Sequence, residues 1–111
     1  MAINGEYINV EDALKRMGGS MGLYKKLLQK FIDEDYMAQL EEALKNPASE
    51  EAQRQVHTVK GLCANLSLVK LAAVSVEMEH QLKDGADTSG SYEDMKQAYA
   101  VTLEQIAEVM G

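Results

Sequence analysis

The sequence predicts an all-α protein, an antiparallel up-down four-helix bundle with a short additional N-terminal helix. Three observations carry this reading. Apolar residues recur at helical spacing in every segment of the 111-residue chain, the breaks between segments are short, and the composition suits packed helices: one proline, no tryptophan and 5% aromatic residues. Hydrophobic residues make up 46% and charged residues 26%. A chain of this length and composition can bury one core as a single domain over residues 1–111.

Taken in order, Asn9 followed by Asp12 marks a helix start, with Val10, Ala13, Leu14 and Met17 on one face before Gly18-Gly19 ends it. Ser20 caps a longer helix to about Leu44, whose stripe is Leu23, Leu27, Phe31, Met37, Leu40 and Leu44, widened by Leu28 and Ile32. Asn46-Pro47 breaks that helix, because proline disfavours helical geometry in the residue before it. Ser49 opens the third helix, with Glu50 and Glu51 against its positive end. A turn near Leu66-Ser67-Leu68 leads to a fourth helix ending about Lys83, with Leu68, Leu71, Ser75, Met78 and Leu82 facing inward. Gly85–Gly90 reads as a loop. Ser91 and Asp94 form a capping box for the last helix, whose face is Tyr92, Met95, Tyr99, Leu103, Ile106 and Met110.

Charge and composition narrow the function. A net charge of −7 opposes nucleic-acid binding, since the protein's field repels phosphates. No apolar run nears the roughly 18 residues of a membrane span, and Met1–Tyr7 lacks the features of a signal peptide. The expected location is the cytoplasm. The lone Cys63 has no internal disulfide partner. The start at Met1 and end at Gly111 lean towards a free-standing protein, although an excised domain would look the same.

The third helix carries the chemistry. At about 100° per residue, Ala52, Val56, Val59, Leu62, Cys63 and Leu66 fall on the core side. His57, Lys60, Gly61 and Ala64 fall on the opposite side. His57 therefore points at solvent or a partner. Gly61, one turn beyond, costs about 1 kcal/mol in an exposed helix relative to alanine, and no core demand explains it. Its benefit is clearance around the imidazole. Lys60 is His57's neighbour on the helix surface and could meet a phosphoryl oxygen, while Arg54 flanks the face. Each cation alone reads as part of a solvated surface; together with an exposed histidine and an unforced glycine they point to anion handling. An ordinary imidazole, with a pKa of about 6.5, is largely neutral and nucleophilic near pH 7. Phosphoryl transfer depends mainly on positioning and charge neutralisation, so a carrier can be sparse. No glycine-rich phosphate loop or kinase motif is present.

His57-Thr58-Val59-Lys60-Gly61, continuing to Asn65-Leu66, resembles the phosphoacceptor helix of the histidine phosphotransfer (HPt) domain family, whose pattern is H-x-x-K-G, a small-residue stretch and an N-[ILV]-G turn. Ile8–Gly19 with Leu23-Tyr24 and Leu27-Leu28 is similar to the family's lead-in, and with Glu77–Leu82 the likeness covers nearly the whole chain. The resemblance implies one histidine phosphotransfer domain in a two-component phosphorelay. His57 would be phosphorylated on its outer ring nitrogen, Lys60 would support the phosphoryl group, and Gly61 would give access. Glu79, 22 residues after His57, stands where some members orient the imidazole. Partners would be a response-regulator receiver domain or a histidine kinase docking over Gly61, Ala64 and Arg54. The carrier would be a monomer with no kinase or phosphatase activity and no cofactor, any magnesium sitting on the receiver. Two departures stand out: Leu62 replaces a small or polar residue, and Ser67 stands where the turn glycine is common.

Three other readings compete with this one. Glu77-Met78-Glu79-His80 contains a Glu-x-x-His, but a di-metal bundle needs a second such motif, and Arg54 stands three residues before His57. A non-phosphorylated adaptor could use the same face. A hydrolase lacks any Ser/His/Asp or Cys/His set, Cys63 falling in the core arc. Met37, Met78, Met95 and Met110 sit at core spacing, and His80 on the surface.

Overall fold

A computed structural model describes residues 5–46 and 50–111. These form six helices: α1 Val10–Arg16, α2 Met21–Asp33, α3 Tyr36–Ala43, α4 Glu50–Leu66, α5 Val69–Asp84 and α6 Ser89–Met110. α2 and α3 together make one arm of a four-helix bundle. α4 and α5 form an antiparallel hairpin, α6 returns beside α5 and α2, and α1 is the additional short helix. The all-α bundle is the one the sequence predicts.

The helix starts follow their caps. Asn9 Oδ1 accepts the amide of Asp12 at 3.0 Å, and Ser20 Oγ accepts that of Leu23 at 3.1 Å. Gly18 and Gly19 end α1 with φ of +65° and +83°, a region that favours glycine. At the far end of α5, Gly85 takes φ +68° and Ala86 N donates to Gln81 O at 2.9 Å, a Schellman closure. The expected break at Pro47 and cap at Ser49 lie outside the described residues.

Three expectations need correction. The second helix does not run unbroken to Leu44. Asp35 takes a left-handed φ of +45°, and its Oδ1 accepts the amide of Ala38 at 3.3 Å to start α3. Aspartate tolerates this conformation because its short side chain bonds locally. Phe31 packs between Tyr36 and Tyr99, with ring centroids 5.3 and 5.8 Å away, and holds the kink. Second, the inner stripe of α2 is Tyr24, Leu28 and Phe31, while Leu23 is exposed. Tyr24 goes inward because its hydroxyl finds a buried acceptor, Leu66 O at 2.8 Å. Third, α6 begins at Ser89, so the loop is shorter than Gly85–Gly90. Ser91 does not cap α6; it lies inside the helix, donating to Gln81 Oε1 at 2.6 Å.

The core takes Ala52, Val56, Val59, Cys63 and Leu66 from α4, and Leu71, Val74, Met78 and Leu82 from α5. Met95, Tyr99 and Ile106 come from α6, while Met37, Met110 and Leu62 are half-buried against it. This places the opposite face of α4 in the open.

The α4–α5 turn explains how Ser67 replaces a glycine. Ser67 has φ +54°, a strained region for a side-chain-bearing residue. Its Oγ donates to Asp12 Oδ2 at 2.6 Å, and its carbonyl accepts the amide of Asn9 at 3.0 Å. Leu68 N closes the helix end on Cys63 O at 2.9 Å. The start of α1 thus clamps the turn and fixes the register of α5 against α4.

Candidate functional site

The α4–α5 hairpin brings His57, Lys60 and Glu79 together. Glu79 is buried, yet both its oxygens are engaged: Oε2 lies 2.8 Å from His57 Nδ1 and Oε1 lies 2.6 Å from Lys60 Nζ. Its pKa is held below the ordinary 4.5, chiefly by the hydrogen bond from Lys60, with that from His57 adding to it and burial opposing. Glu79 is therefore a carboxylate and an acceptor, so His57 Nδ1 carries the hydrogen and donates. The outer Nε2 takes no part in this bond.

The imidazole itself is open, its side chain 69% exposed against 8% for Glu79. The residue is held by its inner nitrogen and presented by its outer one. Lys60 is half-buried, its aliphatic stem lying on the bundle and its ammonium directed at Glu79. Gly61 is exposed, and a Cβ built on it would meet nothing within 4 Å. Among the described residues, nothing demands a glycine there. Ala64, one turn further, is also exposed and small.

Arg54 is less available than its sequence position suggests. It pairs with Glu51 at 2.6 Å and Glu50 at 3.7 Å, which offsets its charge. It still lines a shallow depression of about 460 Å³ beside His57, with Gln53, Thr58, Glu79 and Lys83. Lys83 was not anticipated. It sits one turn after Glu79 on α5 and helps to lower that carboxylate's pKa. The spacing of four residues was the signal that could have revealed it.

The remaining candidates lie elsewhere. Cys63 is fully buried, which pushes its thiol up to about 12 and silences it as a nucleophile. His80 is exposed on α5. Among the described residues no three His, Cys, Asp or Glu side chains are grouped to hold a metal. No described helix is long and apolar enough to cross a membrane.

Comparison with curated proteins gives no match, and comparison with solved structures gives none either. A family model described as Hpt domain matches residues 26–109, a span that takes in part of α2, all of α3 to α5 and α6 but for its last residue, and with them His57, Lys60 and Glu79. The chain belongs to the Hpt domain family.

Proposed function

We propose that this chain, like other Hpt domains a phosphocarrier of two-component signalling rather than an enzyme, carries its phosphoryl group on Nε2 of His57, exchanging it with the phospho-aspartate of a response-regulator receiver domain or taking it from a histidine kinase. One observation carries the reading. A buried carboxylate holds the inner nitrogen of an exposed imidazole, which leaves the outer nitrogen nucleophilic and facing an uncrowded surface.

Each neighbour then has a task. Glu79 fixes the tautomer and ring plane. Lys60, already on the same carboxylate, is within a side-chain swing of a phosphoryl group on the ring and offsets its charge. Gly61 and Ala64 let the receiver's active site close on Nε2, and Arg54 sits at the rim of the docking face. Further along α4, a groove of about 240 Å³ lined by Leu27, Phe31, Tyr36, Leu62 and Leu66 offers apolar area to the same visitor, with Leu23 exposed nearby on α2. The carrier needs no cofactor in this scheme, since magnesium belongs to the receiver, and it works as a cytoplasmic monomer.

The test is incubation with a phosphorylated receiver domain, comparing the parent chain with His57→Gln. Label should appear on the parent, be acid-labile and base-stable, and be absent from the variant. Undiminished label on His57→Gln moves the site elsewhere. No label from any receiver or kinase tested makes the chain a non-phosphorylated adaptor using the same face.

A further inference from the structure

The chain is acidic, with a net charge of −7, yet as a carrier it has to approach an anionic partner. A receiver's acceptor pocket binds magnesium, and magnesium is held by carboxylates. Two negative fields repel and slow the encounter. The placement of the cations bears on this conflict. Most of the Lys and Arg side chains are already paired with a carboxylate. Among the described residues, the cations with no ion pair are Lys25, Lys26, Lys30 and Lys83. Lys83 lies beside His57. The other three share α2, which has no acidic residue from Met21 to Lys30.

Lys26 and Lys30 are exposed and one turn apart, and helical spacing puts them on one side of α2 with Leu23 and Leu27. Leu23 is 44% exposed. Leu27 and Lys30 line the groove of about 240 Å³ together with Leu62 and Asn65 of α4. Leu62 follows Gly61 and Asn65 follows Ala64, so the groove borders the open face of α4. Leu62 stands five residues past His57, about 8 Å along the helix axis. A partner surface of the usual size, about 800 Å², reaches from the imidazole across the groove to both lysines.

We propose that the groove and its lysine rim form a selectivity surface, favouring receiver domains that present an apolar side chain flanked by carboxylates beside their phospho-aspartate. This rests on His57 being the phosphoacceptor. Leu23, Leu27 and Leu62 take the apolar side chain, and Lys26 and Lys30 meet the carboxylates around it. Leu62, which stands where the Hpt pattern has a small or polar residue, supplies the apolar wall on the α4 side. Arg54 would have to leave Glu50 and Glu51 before meeting a partner's acid. The α2 lysines have no such partner to leave. Their charge acts before contact, drawing an acidic face in and turning a basic one away.

The test uses the intact chain and a panel of receiver domains phosphorylated with acetyl phosphate, some acidic and some basic beside the aspartate. Single-turnover transfer is measured against receiver concentration for the parent, for Lys26→Glu/Lys30→Glu, and for Lys15→Glu/Lys96→Glu. The last has the same net charge but alters exposed lysines on α1 and α6. At low salt the parent should prefer acidic receivers by roughly tenfold or more, and the α2 reversal should erase or invert that preference. At about 0.5 M salt, where charges are screened beyond about 4 Å, the proteins should converge to within about threefold. The α1 and α6 reversal should stay within about threefold of the parent at every salt concentration. Leu23→Ser should raise the half-saturating receiver concentration roughly fivefold and leave the salt dependence unchanged. Labelling of His57 by phosphoramidate, a small histidine donor, should match the parent in every variant, which separates docking from chemistry.

An α2 reversal that keeps the parent's rates and salt dependence refutes the selectivity surface and leaves His57 as acceptor. So does a parent that phosphoramidate labels and no receiver does. A homodimer in sedimentation that the α2 reversal dissolves would make a second copy the occupant, and overturns the proposal likewise. Absence of label on His57 from every donor overturns the functional reading and this inference with it.

Discussion

Replacing Gly61 should make the protein more stable and a worse carrier, and the two effects can be worked out separately. Gly61 lies mid-helix in α4, is exposed, and has open space where a Cβ would stand. Alanine there gains the helix propensity that glycine forfeits, about 1 kcal/mol, with no clash to subtract. For a domain of this size that is a rise in Tm of about 4 °C, read in urea as a higher midpoint at unchanged slope. The cost falls on the partner. Residues one turn apart have Cβ atoms about 5–6 Å apart, so a side chain at 61 stands beside the imidazole and holds a docking domain back by an ångström or more. Misplacement of reacting atoms by about 1 Å can cost on the order of 100-fold. Transfer from a phosphorylated receiver should therefore fall by roughly tenfold in Gly61→Ala and roughly 100-fold in Gly61→Leu, measured in single turnovers. Labelling by phosphoramidate, which is too small to touch residue 61, should stay within about twofold of the parent. A Gly61→Leu protein that accepts phosphate from the receiver at the parent rate would refute the clearance argument, and a destabilised Gly61→Ala would show that the space is not open.

Further perturbations test the supports of the site. Lys60→Met strands the buried Glu79 carboxylate with one partner and should cost about 1–3 kcal/mol in urea unfolding; adding Glu79→Gln removes the stranded charge and should recover most of it. Because Glu79 has its pKa lowered on folding, its contribution is complete above the ordinary value of 4.5 and is lost as pH falls through the lowered one. Stability measured from pH 6 down to 3 should decline less steeply in Glu79→Gln than in the parent. Ser67→Ala loses the bond to Asp12 but keeps the positive φ, whereas Ser67→Gly loses the bond and relieves the strain; the alanine variant should be the less stable by about 1–2 kcal/mol in thermal or urea unfolding. Cys63, buried and pushed up to about 12, should resist a thiol reagent at pH 8 until denaturant is added, with fast labelling of the native protein counting against the packed core.

What was legible in the sequence was periodicity and its exceptions. The outward face of α4 could be read because Val56, Val59 and Cys63 leave only one side for His57, and all three are buried. The kink at Asp35 left a trace in the spacing: nine residues separate Phe31 from Leu40, which at about 100° per residue puts them on opposite faces of one unbroken helix, yet both are buried. The local clue was an aspartate three residues before Ala38, a capping distance that also occurs inside helices. Leu23 outranked Tyr24 on hydrophobicity alone. What reversed them was an acceptor on a different helix, the Leu66 carbonyl 42 residues away, which no local window contains.

Glu79 shows the same limit at the site itself. Beside Met78 in sequence, a glutamate at the border of an apolar stripe reads equally as a surface charge or a buried one, and spacing alone gives only its distance from His57. Its role depends on how deeply the hairpin sinks it, and that depth is set remotely. Ser67 turns the chain, Asp12 and Asn9 hold the turn, and the resulting register places residue 79 opposite 57 and 60. A one-residue slip of α5 would rotate the carboxylate by about 100° and break both bonds. The short N-terminal helix, which touches none of the reacting groups, therefore belongs to the chemistry: it fixes the register on which the buried charge depends. That dependence is why the Ser67 variants should alter phosphohistidine lifetime as well as stability.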